Sequence, residues 1–159
     1  MASIAHRGFT LIEILVVIVI IGIAMAVAVP NLFPGDEQLT RQESERVLAQ
    51  LQAARDEAAF GGRVIAVRVE SGQLEFFERD AGNPDRWNPS ASPALKPRAL
   101  AGAIRAQLSV AGSVAAARDA QITFLPVGVS LPFELILQSP TAAATIVGDA
   151  IGNLRFKAP

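Results

Sequence analysis

The chain has 159 residues, 14 basic and 15 acidic side chains for a net charge of −1, one histidine and no cysteine. Without cysteine there is neither a disulfide framework nor a thiolate metal site, and a lone histidine at position 6 excludes a His-dependent dyad or triad in whatever domain follows. The balanced charge sets up no strong field toward nucleic acid or anionic lipid.

The first element is apolar. Residues 7–13 read Arg-Gly-Phe-Thr-Leu-Ile-Glu, and no charged side chain occurs from Ile14 to Val29. As an α-helix, Phe9–Val29 would span about 32 Å at about 1.5 Å per residue, close to the hydrocarbon thickness of a bilayer. The basic lead, His6 and Arg7, predicts an N-in orientation with everything after Pro30 outside the cytoplasm. A carboxylate in such a segment costs about 2.5–3.5 kcal/mol unless something compensates it. Glu13 is therefore the first candidate site residue. An ordinary secretory signal is one reading, since Ala26-Val27-Ala28 satisfies the small-x-small cleavage pattern. A plain uncleaved anchor is another. Neither accounts for Glu13 together with the Gly8-Phe9 junction.

The string Gly8-Phe9-Thr10-Leu11-Ile12-Glu13, followed by the apolar run to Pro30, resembles the class III signal of type IV pilins and type II secretion pseudopilins. That resemblance implies cleavage between Gly8 and Phe9 by a membrane-embedded prepilin peptidase, then N-methylation of Phe9. It divides the chain into a leader over 1–8, a transmembrane and assembly helix over 9–29, and a periplasmic domain over 30–159. After cleavage Phe9 would carry the new α-amino cation, one helical turn from Glu13. An intramolecular pair or a neighbour's amine would each neutralise the carboxylate; if a neighbouring subunit supplies the amine, the buried charge is compensated at only one axial offset, and a single charge sets filament register.

Pro30 lacks an amide donor and disfavours helical geometry at Val29, so a kink is expected there. Asp36 reads as the N-cap of a second helix over about 36–60. Leu39, Val47, Leu48, Leu51, Ala54 and Ala58 recur at helical spacing, with Arg41, Glu43, Glu45, Arg46, Asp56 and Glu57 on the other face. Gly61-Gly62 ends it. The period then changes to two. Strands are predicted over Val64–Glu70 and Gln73–Arg79 around a Ser71-Gly72 hairpin turn. Four prolines mark 80–97 as a long irregular loop. Further short strands are predicted over Ile104–Val110, Gln121–Leu125, Phe133–Gln138, Thr145–Val147 and Leu154–Lys157. The fold class is α+β: a long kinked N-terminal helix packed on an antiparallel sheet.

That pattern is similar to the pilin fold. Ile122-Thr123-Phe124-Leu125-Pro126-Val127-Gly128, with Leu135-Ile136-Leu137 and a terminal Gly152-Asn153-Leu154-Arg155-Phe156, resembles the H-type minor pseudopilins of the type II secretion pathway. Val127 departs from the acidic or polar residue common at its position. The resemblance implies an inner-membrane, single-pass subunit of a periplasmic pseudopilus near its tip, which supports export of folded proteins. Its partners would be the major pseudopilin, other minor pseudopilins, the prepilin peptidase and the inner-membrane secretion platform. It implies no cofactor and no enzymatic role. A minor pilin of a type IV pilus, serving assembly or DNA uptake, is the alternative.

The remaining candidates read more simply. Asp80, Asn83 and Asp85 lack the spacing of a calcium loop and read as a solvated turn. Trp87 is either a partner anchor or a ring packed over a sheet edge. Arg155 and Lys157 are a thin footprint for DNA, so nucleic acid is an unexpected partner.

Overall fold

The computed structural model describes residues 10–32, 35–111, 120–128 and 130–157, with side chains of the first stretch described through Met25. The chain forms two compact units, Met1–Gly35 and Asp36–Pro159. The leader over 1–8 and the Gly8-Phe9 junction lie outside the described residues.

The first unit holds helix α1, Leu11–Leu32. Ile, Leu, Val and Ala dominate it, and its described apolar side chains are exposed on every face, from Leu11 at 86% to Met25 at 63%. Among the described residues no helix is long and apolar enough to cross a membrane, the α1 side chains being described only to Met25 while its backbone runs on for a total of 22 residues. The helix runs through Pro30 and ends at Leu32, so the position of the expected kink lies within the helix. A ring near the last turn removes one bond, the one to the Ala26 carbonyl, and helical geometry survives that loss.

The second unit begins with helix α2, Asp36–Gly61. Asp36 is its first helical residue, and its carboxylate accepts from the Thr141 hydroxyl at 3.1 Å. At the other end Gly62 takes φ +63°, and the Arg63 amide donates to the Ala58 carbonyl at 3.2 Å, the bond that closes a Schellman motif. The buried stripe comprises Thr40, Glu43, Ser44, Val47, Leu51, Ala54 and Ala58. Glu43 is a correction: it was expected on the solvated face and instead lies on the inner one.

Among the described residues nine strands follow, β1 Ile65–Glu70, β2 Gln73–Arg79, β3 Trp87–Pro89, β4 Arg98–Ala99, β5 Arg105–Val110, β6 Gln121–Phe124, β7 Phe133–Gln138, β8 Ala143–Gly148 and β9 Leu154–Phe156. They make two antiparallel sheets where the alternation suggested one. The first runs β3-β2-β1-β6 with β4 also on β2; the second runs β5-β7-β8-β9. Period-2 patterning fixes which face of a strand is buried but says nothing of which strand lies beside it. The β1–β2 turn is as expected, with Ser71 at φ +50° and Gly72 at φ +76°, the two left-handed residues of a type I′ hairpin. The long loop is more ordered than its prolines suggest: it contains β3 and a 3-10 turn, Pro93–Leu95, and leads into β4. Leu95, fully buried, pins it to the core.

Both sheets and α2 share one core. Val47, Leu51 and Ala54 meet Ile65, Val67, Phe76 and Phe124 of the first sheet and Phe133, Leu135 and Ile146 of the second. Phe124 and Phe133 cross edge to face with centroids 6.4 Å apart. Phe133 lies over Gly148, where a Cβ would come within 2.2 Å of the ring.

Candidate functional site

Three places hold the residues singled out above. The first is the start of α1. The Glu13 amide donates to the Thr10 carbonyl at 3.1 Å and to the Thr10 hydroxyl at 3.3 Å. Thr10 is thus the N-cap and Glu13 the N3 residue, the Thr-x-x-Glu spacing of a capping box. Thr10-Leu11-Ile12-Glu13 carries that signal in the sequence itself. The carboxylate is exposed and, among the described residues, forms no ion pair. Its expected partner, the amine of Phe9, lies outside the described residues.

The second place joins the two glycine motifs. Gly128 (φ +74°) closes the turn after β6 by donating to the Leu125 carbonyl at 3.0 Å, and Gly152 (φ +83°) turns β8 into β9. The two backbones touch: a Cβ on Gly152 would stand 2.2 Å from the Gly128 carbonyl oxygen. Arg55 of α2 donates to the Gly152 carbonyl at 3.3 Å and is oriented by Asp56 at 2.8 Å. Asp149 organises the β8–β9 turn, accepting from the amides of Asn153 (2.8 Å) and Ile151 (3.0 Å) and from the Asn153 side chain (3.0 Å). Those donors, led by the Asn153 amide, hold its carboxyl below the ordinary carboxylate value. Val127 and Ile151, 78% and 74% exposed, project from these loops.

The third place is the Glu43 carboxylate, 1% exposed, which accepts from Arg98 of β4 at 2.7 and 2.9 Å. Arg46 approaches at 3.7 Å. The pair clamps the end of the long loop onto α2.

The weaker candidates resolve as turns and pairs. Asp80 accepts from the amides of Gly82 (2.8 Å) and Asn83 (3.1 Å) and from Asn88 (3.0 Å), and the Gly82 amide leads in holding its carboxyl below the usual range. Oxygens already facing amide donors make poor cation ligands, and among the described residues no group of three His, Cys, Asp or Glu side chains could hold a metal. Trp87 lies on an edge strand beneath the Arg79 guanidinium, 4.9 Å from the ring centroid. Lys157 pairs with Glu134 at 2.9 Å, and Arg155 sits in the field of Asp149.

The model of the family described as Type II transport protein GspH matches residues 43–152, and that of the prokaryotic N-terminal methylation motif matches residues 5–29. The chain belongs to the GspH family. Type II secretion system protein H of Pseudomonas aeruginosa is 34% identical over 88 residues, 55% of this chain and 51% of that protein. Type II secretion system core protein G of Pectobacterium carotovorum is 46% identical over 51 residues, 32% of this chain and 33% of that one. The chain therefore spans about a third to a half of the length of these relatives. The fold is that of the minor pseudopilin EpsH from the type II secretion system of Vibrio cholerae, with a TM-score of 0.63 at 18% identity over 79% of this chain and 97% of that one. The GspH match opens on Glu43 and closes on Gly152, so it takes in the buried carboxylate and the paired glycines. Glu13 falls in the methylation motif.

Proposed function

We propose that this chain is a minor pseudopilin: a structural subunit of a type II secretion pseudopilus near its tip, supporting export of folded proteins through assembly and not through catalysis. The GspH match and the N-terminal methylation motif in one chain carry this reading. In it, the prepilin peptidase cleaves between Gly8 and Phe9, Phe9 is methylated, and the segment through Val29 anchors the subunit in the inner membrane with the domain periplasmic. The N-terminus is cytoplasmic before assembly.

Physical chemistry supports the anchoring and the charge pairing. A helix that is apolar all round is stable only in lipid or among other such helices. Glu13 lies in its first turn, where the helix dipole favours a carboxylate but leaves its charge uncompensated in an apolar surround. The Phe9 amine of an adjacent subunit supplies the counter-charge and fixes the axial offset. The major pseudopilin, other minor pseudopilins and the inner-membrane platform are the partners this arrangement calls for.

The test is Glu13→Ala in cells that make the complete secretion system. Membrane levels are expected to stay normal while co-purification with the other pseudopilins and secretion fall by at least about tenfold, the factor for loss of about 1.4 kcal/mol. Normal secretion and co-assembly would refute the register argument. Intact mass and N-terminal sequencing test processing separately, with methyl-Phe9 the expected first residue.

A further inference from the structure

Apolar side chains exposed singly over a surface are ordinary, whereas a cluster of them in one place marks a contact. The second unit exposes five large apolar side chains among the described residues: Phe60, Val127, Leu131, Ile151 and Phe156. The first four lie at one end, where α2 stops. Arg55 of α2 donates to the Gly152 carbonyl, beside Ile151, and Phe60, 91% exposed, follows about 7.5 Å further along the helix. Gly152 packs on the Gly128 carbonyl, which puts Ile151 and Val127 on touching loops. The Ser130 hydroxyl donates to the Asp149 carbonyl at 3.3 Å and brings Leu131 to the same end. Apolar anchors held in place before contact lose less freedom on binding than mobile ones.

The opposite end of the unit, where the chain enters at Asp36, has different chemistry. Asp36 meets Thr141 there, and β1 and β7 run toward it, to Glu70 and to the Arg105↔Gln138 pair. Glu37, Arg41, Glu70 and Arg105 are all exposed at this end. On the assembly reading above, subunits anchored through α1 in one membrane point the same way. Two apolar ends then do not face each other, and each meets the entry end of a neighbour, a head-to-tail contact. A second copy of this chain offers charges at that place, and desolvating them against apolar side chains costs free energy.

Resting on that reading, we propose that the apolar end of the domain docks on an apolar surface at the entry end of a different pseudopilin, with Phe60 and Ile151 as its anchors. Apolar anchors at one end and charges at the other make this domain selective for an unlike neighbour over its own copies. The contact lies on the folded domain, apart from the α1 helices.

The test is photo-crosslinking of the full chain in cells that make the whole secretion system, with p-benzoylphenylalanine in place of Phe60 or, separately, of Ile18 on α1. Position 60 is expected to give a product with the globular domain of a different pseudopilin, identified by mass spectrometry of the joined peptides. Val127→Gln with Ile151→Gln is expected to cut that yield by at least about tenfold, the scale of exposing one large apolar side chain that had been buried. Reciprocally, Phe60→Gln should cut the product of a probe at position 151 by a similar factor. All three replacements fall at exposed positions, so the urea midpoint should not move, which separates a lost contact from a lost fold.

If position 18 reports assembly while position 60 gives no product, or joins only a second copy of this chain, lipid or a partner's N-terminal helix, the docking proposal fails and the pseudopilin reading stands. Yields unchanged by Val127→Gln with Ile151→Gln overturn it as well. Silence at both positions removes the assembly reading and this proposal with it.

Discussion

At the scale of single residues, two positions show how a local rule is overridden by one distant contact. Glu43 sits on α2 with its side chain 1% exposed, compensated by Arg98 from 55 residues away. Removing one member of such a pair strands the other charge, whereas removing both leaves only packing to restore. Glu43→Ala is expected to destabilise the domain by about 3 kcal/mol. Glu43→Met with Arg98→Met should recover most of that loss, as read from urea unfolding midpoints at constant m. A double variant no better than the single would mean that the clamp is not electrostatic. Gly152 is the steric counterpart. Its φ of +83° and the 2.2 Å approach of its would-be Cβ to the Gly128 oxygen leave no room for any side chain. Gly152→Ala is expected to cost about 2–4 kcal/mol. Gly62→Ala, at φ +63° with open space around it, should cost only about 1 kcal/mol.

At the scale of elements, the β8–β9 turn depends on one carboxylate whose folded pKa lies below its ordinary value of 3.8. A depressed carboxyl contributes stability that is present above the unfolded pKa and is lost as pH falls through the folded one. The turn is therefore expected to hold at neutral pH and loosen only below about pH 4. The Asn153 and Ile151 amides should lose exchange protection and shift together in NMR spectra over that range. Asp149→Asn should show no such pH-linked step. Turns of this kind were partly legible in advance. Ser71-Gly72 announced its hairpin because two left-handed residues between alternating strands have few other uses, and β2 and β7 fall where their alternation ends. Glu43 stayed hidden because a charge in a charged run reads as solvated until its partner is known. β3 stayed hidden because Trp87-Asn88-Pro89 lies among prolines, and its pairing with Phe77–Arg79 is set by the tertiary context of β2. The split into two sheets had no local signal at all. Thr10 did have one, the Thr-x-x-Glu spacing.

At the scale of the molecule, the physics of the two units differs. All members of the core cluster, from Val47 to Ile146, belong to the unit that begins at Asp36, whereas the described side chains of α1 are exposed throughout. The second unit thus has a core of its own among the described residues, so the stability of the domain and the proposed competence of the chain to assemble are expected to be separable quantities. A fragment starting at Asp36 is accordingly expected to fold cooperatively without detergent, with coincident unfolding transitions by circular dichroism and Trp87 fluorescence. Glu43→Ala and Gly152→Ala should shift that transition by the amounts given above. Glu13 is absent from the fragment, so its replacement in the full chain should change assembly while leaving the domain's urea midpoint, measured in detergent, where the fragment has it. A midpoint that moves with Glu13→Ala would mean that the first helix contributes to the fold of the domain. The proposed register role of the carboxylate could then no longer be read apart from stability.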